Sequence, residues 1–151
     1  MIFTKLAILA VFVCFCRVRS FAVLGGEVAS VQTDQARIHA SLRTRQMSDY
    51  TVHELQAPSG VVVREFASAS GRIFAISWQG PSLPDLRQLL GSHFDDFRQA
   101  AQAQSARKAR GPLAIQQNGL TVQLGGHMRS YVGRAYLSDQ LPADVRLEEI
   151  H

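Results

Sequence analysis

Three consecutive segments of this chain have the apolar and polar pattern of strands, although the first two alternate less cleanly than the third. The clearest segment is RIFAISW, in which Phe74, Ile76 and Trp78 fall on one face of a predicted strand and make that face large and apolar. The turn-forming segments APSG and SASG separate the three runs. The pattern predicts an antiparallel meander with strands at about Tyr50–Gln56, Val61–Ala67 and Arg72–Trp78.

The same pattern returns further along the chain. The segments LAIQQ and LTVQL flank Asn118-Gly119, the strongest short hairpin signal in the sequence. Gly125-Gly126 is predicted to turn the chain again before a further strand at about Met128–Leu137, with an interruption at Gly133 left open. These segments predict a second three-stranded meander.

A period near 3.6 residues marks a first helix at Ala29–Arg43. There Val31, Ile38 and Leu42 share one stripe at spacings of seven and four.

A second helix is predicted from about Leu83 to Ala101, with Pro84 in its first turn and Ser82 or Leu83 near its cap. Its apolar stripe consists of Leu86, Leu90, Phe94 and Phe97. The elements follow in the order α-βββ-α-βββ, and the tail is predicted to end in a short helix. Antiparallel meanders packed against two main helices predict a small, single-domain α+β protein.

The first 22 residues have the layout of a secretory signal peptide. One lysine precedes the apolar run LAILAVFVCFC, and Ser20-Phe21-Ala22 places small residues where a signal peptidase reads. The apolar run has eleven residues, whereas a helix needs about twenty to span a bilayer. We therefore expect cleavage between Ala22 and Val23, export to the periplasm or beyond, and no stable membrane span after cleavage. A retained N-terminal anchor is the alternative.

Cleavage at this position changes the charge and the cysteine chemistry. Both cysteines lie in the removed segment, so the mature chain has no disulfide and no thiolate nucleophile. Lys5, Arg17 and Arg19 leave with it, and 16 basic residues against 12 acidic ones become 13 against 12, a net charge of +1. We therefore expect no nucleic-acid binding.

The mature sequence contains no catalytic or metal-binding constellation that stands out. Neither Ser59 nor Ser70 lies in a G-x-S-x-G elbow, and Gly125-Gly126 lacks the residues of a phosphate-binding loop. No zinc-ligand spacing occurs among the five histidines, which are His39, His53, His93, His127 and His151. We expect no metal and no cofactor.

Two corners of the chain are candidate ligand- or partner-binding sites. In the first, Trp78 ends a strand and could line a pocket. The side-chain amide of Gln79, before Gly80, would form hydrogen bonds with a ligand there. The alternative is that Trp78 fills the space between the sheet and the second helix, and this structural interpretation is preferred.

In the second corner, His127 and Arg129 follow a pair of glycines, with Tyr131 and Tyr136 nearby, and together they could gather an anion. A turn or bulge at the glycines is the alternative and is again preferred.

Three long segments carry a family resemblance. They are YTVHELQAPSGVVVREF, FAISWQGPSLPDLRQLLGSHF and GGHMRSYVGRAYLSDQLP. Through them the chain resembles the exported proteobacterial proteins grouped as domain-of-unknown-function family 2844. The resemblance covers nearly all of the mature chain and implies a bacterial exported protein of one small domain. It implies no activity, and no functional residue is carried over from it.

Two functions from different classes follow. The first is a non-enzymatic accessory or binding module that acts on another envelope or secreted protein. The second is a small periplasmic hydrolase or transferase that uses His127 or His53 as a general base. A binding module has a stoichiometric partner and no turnover, whereas a catalytic base shows turnover that depends on pH near its pKa.

Overall fold

A computed structural model describes residues 24–106 and 112–151, so the predicted signal peptide and its cleavage site lie outside the described part. The strands are Ser41–Gln46 (β1), Tyr50–Gln56 (β2), Val62–Ser68 (β3), Ile73–Gly80 (β4), Leu113–Gln117 (β5), Leu120–His127 (β6) and Ser130–Leu137 (β7). The α-helices are Val31–Arg37 (α1), Leu86–Leu90 (α2) and Phe94–Ala106 (α3). Short 3₁₀ turns occur at Val28–Ser30, Gly91–His93 and Leu147–Glu149. No helix in these ranges is both long enough and apolar enough to cross a membrane.

The seven strands form one antiparallel sheet in the order β1-β2-β3-β4-β7-β6-β5. Two meanders, β1–β4 and β5–β7, are joined where β7 pairs with β4. Asn118 and Gly119 both have positive φ in the turn between β5 and β6, which confirms the hairpin predicted there. The α+β class and the two meanders are therefore confirmed, although the first meander has four strands instead of three.

Each face of the sheet carries a buried cluster. The helices pack on one face, here called the helical face, and its buried side chains include Leu55, Val63, Ile76, Trp78, Leu89, Leu90, Phe97, Leu120, Val122 and Leu137. The opposite face is here called the outer face. Residues 138–151 pack on this face and contribute to a smaller cluster there. Its buried members include Tyr50, Phe66, Phe74, Tyr136, Val145 and Ile150.

The first predicted helix is wrong beyond Arg37. The residue His39 has a φ of 51°, a left-handed conformation that ends a right-handed helix. The chain then enters β1, where Leu42 pairs with Leu55 of β2. Leu42 therefore contributes to the core from a strand, and its spacing of four from Ile38 imitated a helical stripe.

The second predicted helix is interrupted and begins later than expected. Asp85 caps α2, because its Oδ1 accepts hydrogen bonds from the backbone N–H groups of Arg87 at 2.9 Å and Gln88 at 3.2 Å. Gly91 ends α2 with a φ of 52°, and α3 continues after a 3₁₀ turn. The cap is therefore Asp85, not Ser82 or Leu83.

A bulge redirects one aromatic side chain of β4. Phe66 pairs with Ala75 while Ala67 pairs with Ile73, so Phe74 is an extra residue in the ladder. Phe74 consequently joins the outer cluster, whereas Ile76 and Trp78 belong to the helical face. The prediction that these three residues share one face is wrong for Phe74.

Candidate functional site

The two sequence-predicted corners lie at the same end of the sheet. Tyr131 of β7 pairs with Gly80 of β4 on one side and with Gly126 of β6 on the other. The end of β4 and the pair Gly125-Gly126 are thus separated by one strand. The two glycines lie within β6, and the turn that was predicted there comes later, at Met128 and Arg129.

Trp78 is buried, with 2% of its surface exposed, and it packs in the core of the helical face. Its indole lies over Gly133 of β7, where an added Cβ would come within 2.4 Å of the ring. Gly133 therefore leaves space for the indole, and β7 continues through it without interruption. This burial is the one expected of a side chain that fills the core between sheet and helices.

A shallow depression of about 360 Å³ borders this corner, and Trp78, exposed Gln79 and Val132 are among its lining residues. Gly80 packs closely against the backbone of Val61. A binding role for this corner stays a prediction.

His127 and Arg129 lie at the exposed tip of the β6–β7 hairpin. His127 Nδ1 is 3.3 Å from the carbonyl oxygen of Met128, and Arg129 has a φ of 66°. Tyr136 lies apart from them, at the far end of β7, where it pairs with Ala75 and is buried in the outer cluster. Tyr136 and the hairpin tip therefore do not form one site.

A cleft that the sequence reasoning missed lies between the sheet and the first two helices. Its volume is about 400 Å³. The floor is formed by Leu55, Val63 and Glu65, the walls include Ile38 of α1 and Leu89 of α2, and the rim consists of residues 57–59 and 82–84. Because three carboxyl groups line it, it is here called the acidic cleft; they belong to Asp34, Glu65 and Asp85.

Glu65 is the unusual residue of the acidic cleft. It lies on β3 between His53 of β2 and Ile76 of β4, and only 1% of its surface is exposed. Its Oε2 has no hydrogen-bond partner among the described residues. Burial, and to a smaller extent the nearby Asp34 carboxylate, raises the pKa of Glu65 to about 8. At neutral pH this side chain is therefore mostly a neutral carboxylic acid.

Asp34 reaches the same cleft from α1 and is 3% exposed. Its Oδ1 accepts a hydrogen bond of 2.9 Å from Nε2 of Gln88 on α2. This bond ties the two helices together across the cleft and holds one carboxylate close to Glu65.

His53 is the titratable neighbour of Glu65 on β2. Its Nδ1 is 3.2 Å from Oγ1 of Thr44, and burial lowers the pKa of the imidazole. Within the described ranges, no three His, Cys, Asp or Glu side chains are grouped in a way that could hold a metal ion.

The signal that could have revealed Glu65 is its register in β3. Val63, Glu65 and Ala67 lie on one face of β3, and Val63 and Ala67 are buried apolar residues. An acidic residue at an inward position is rarely buried without a partner. The first two strands alternate too weakly in the sequence for this inward register to stand out.

A second, more polar cavity of about 530 Å³ lies on the outer face. Several of its polar groups form hydrogen bonds that hold the chain in place. Arg64 Nε donates to Oε2 of Glu54 at 2.8 Å and its Nη1 to the carbonyl of His151 at 3.0 Å, while the hydroxyl of Tyr50 donates to Glu149 at 3.1 Å. These bonds attach residues 138–151 to the sheet, so the cavity has a structural explanation that the acidic cleft lacks.

Comparison with known proteins gives the family. The model of the family described as Protein of unknown function (DUF2844) matches residues 20–150. No curated protein and no solved structure matches the chain. The family match covers all the described residues except His151. The chain therefore belongs to the DUF2844 family.

Proposed function

We propose that this protein is a non-enzymatic binding module of the bacterial cell envelope and that the acidic cleft is its binding site. The observation that carries the proposal is the buried carboxyl of Glu65, whose Oε2 has no partner among the described residues. A buried polar group without a hydrogen bond costs about 1–3 kcal/mol of stability. A ligand that completes this bond would offset that cost.

The shape of the cleft supports a small ligand. A volume of about 400 Å³ lies in the range of small-molecule sites, which combine apolar walls with a few polar groups. The rim residue Leu83 is 47% exposed although it is apolar. Its side chain is available to cover a bound ligand.

The location in the envelope rests on the sequence, which predicts export. The sequence also predicts an envelope or secreted protein as partner. We propose that such a protein delivers the ligand to the cleft or receives it from the cleft, which is an accessory role.

The alternative, a hydrolase or transferase based on His53 or His127, has weaker support. Neither histidine is among the described residues that line the acidic cleft. His53 is half-buried beside Thr44, and His127 is exposed at a hairpin tip. Turnover of a substrate that is lost in His53→Ala or His127→Ala would favour this alternative.

The proposal is tested by filling the cleft. Ala57 lines it, so Ala57→Trp should occupy its volume, whereas Ala114→Trp places the same side chain at an exposed position of β5. Cyclohexylmethanol and cyclohexylmethylamine are used as probes, and backbone amide shifts are followed by NMR. We expect shifts at Val61, Val63 and Leu89 in the wild type and in Ala114→Trp, but not in Ala57→Trp.

Shifts that persist in Ala57→Trp, or the absence of shifts with both probes, would contradict the proposal. Thermal unfolding of both variants is measured in parallel, so that loss of binding is not mistaken for loss of fold.

A further inference from the structure

We infer that the ligand of the acidic cleft is a small organic cation, an ammonium or guanidinium group carried on an apolar stem. This inference rests on the proposed function and specifies the chemistry of its ligand. It is carried by the charge of the lining, the burial of Glu65 and the apolar walls.

The charge of the lining is of one sign. Asp34, Glu65 and Asp85 line the cleft, and its described lining residues include no lysine, arginine or histidine. A cation therefore meets only carboxyl groups in this lining, and it meets the full charge of Glu65 once that group gives up its proton, whereas a carboxylate ligand is repelled.

The position of the carboxyls fixes where the cation binds. Glu65 is on the floor, 1% exposed, with Asp34 facing it from α1 and apolar Val63 and Leu55 beside it. An ammonium group at Oε2 of Glu65 would supply the donor that this oxygen lacks among the described residues. The stem then lies against the apolar walls.

The groups that surround Glu65 come from β2, β4, α1 and α2. His53 faces it from β2, and Ile76, which carries no charge, faces it from β4. Asp34 is on α1, where Arg37 is exposed, and Asp85 caps α2. Burial lowers the pKa of His53, so its protonated form is disfavoured where Glu65 titrates.

The proton on Glu65 makes binding depend on pH in a defined direction. Since the pKa of Glu65 is about 8, a cation must displace its proton at lower pH. The affinity should therefore rise by about tenfold per pH unit between pH 6 and pH 8, and should level off above pH 8. A neutral ligand should show no such rise.

The experiment compares three probes of the same shape: cyclohexylmethylamine, cyclohexylmethanol and cyclohexanecarboxylate. Their dissociation constants are measured by titration calorimetry or NMR at pH 6, 7, 8 and 9. We expect the amine to bind at least tenfold more tightly than the alcohol at pH 8, and the carboxylate to bind most weakly.

Two variants test the role of Glu65. Glu65→Gln keeps the shape of the side chain and removes its charge, so the amine should lose at least tenfold in affinity at pH 9 and all of its pH dependence. Glu148→Gln makes the same change at an exposed site outside the cleft and should behave like the wild type. Binding of the alcohol should be equal in all three proteins.

The alcohol could bind as tightly as the amine or more tightly, with both still blocked by Ala57→Trp. This result would overturn the inference that the ligand is a cation and would leave the proposed binding function standing. The absence of binding by every probe would overturn both. A short acetylated and amidated peptide with one central lysine separates the two sources of an ammonium group. Binding of this peptide tenfold more tightly than the free amine would overturn a small-molecule ligand in favour of a lysine side chain.

Discussion

At the scale of single residues, Glu65 couples the stability of the fold to pH. Its pKa in the folded state is about 8, above the ordinary value of 4.5, so the folded protein holds a proton that the unfolded chain releases. The contribution of this proton is fully present below pH 4.5 and is lost as the pH rises to about 8.

Glu65→Gln should remove this dependence. Between pH 5 and pH 8 the wild type should lose on the order of 3 kcal/mol of unfolding free energy that the variant keeps. Urea unfolding at both pH values measures the difference, and Glu148→Gln is the matched control. A wild type that is equally stable at pH 5 and pH 8 would show that Glu65 is not held as a neutral acid.

A second residue-scale prediction concerns the space under the indole of Trp78. Gly133→Ala would place a methyl group within 2.4 Å of the ring, whereas at Gly125 the nearest atom to an added Cβ is Cγ2 of Val132 at 3.7 Å. Gly133→Ala should cost about 1–3 kcal/mol by overpacking and should change the fluorescence of Trp78.

Gly125→Ala should leave both the stability and the emission nearly unchanged. Since Trp78 is the only tryptophan, its emission reports on this packing alone. Equal effects of the two alanine substitutions would exclude a special contact at Gly133.

At the scale of elements, α2 is a short helix whose position depends on its cap. Asp85→Ala removes the acceptor of two backbone N–H bonds and should cost about 0.5–2 kcal/mol. Because Gln88 and Leu89 of α2 line the acidic cleft, affinity for a cleft ligand should fall as well.

Asp85→Asn keeps an oxygen at the cap and should retain most of the stability, as thermal unfolding would show. A loss as large as that of the alanine variant would indicate a role other than capping.

The elements also show how far sequence patterns reach. The meander strands were predictable because turn-forming residues separate runs of period two, and the Asn118-Gly119 hairpin because its residues tolerate positive φ. Strand β1 was not predictable, because Val31, Ile38 and Leu42 have a helical spacing. The left-handed conformation of His39 ends the helix before Leu42 is reached.

The candidate site was harder to predict than the fold. Trp78 is conspicuous in the sequence, but burial leaves it little surface for a ligand. Glu65 looks like an ordinary strand residue, and its environment arises from α1 and α2, which are distant in sequence. Periodicity describes one element at a time, whereas a cleft is formed between elements.

At the scale of the whole molecule, the sequence predicts that the protein is exported and loses its first 22 residues. Mature protein from the native host should begin at Val23 and lack both cysteines, and intact-mass spectrometry with N-terminal sequencing would establish this. A chain that keeps its first 22 residues and fractionates with the inner membrane would instead favour the N-terminal anchor.

The pairing of β4 with β7, which connects the two meanders, determines the order in which the strands can pair during folding. Strands β1 to β4 can pair as they leave the ribosome or the export channel, but the free edge of β4 must wait for β7, about fifty residues later. Until then one edge of β4 is unpaired. Residues Ile73–Trp78 of this strand are all buried in the folded protein, so before β7 arrives they form a surface prone to aggregation. The partly synthesised chain is therefore most prone to aggregate in that interval, and a chaperone that acts on it should bind β4.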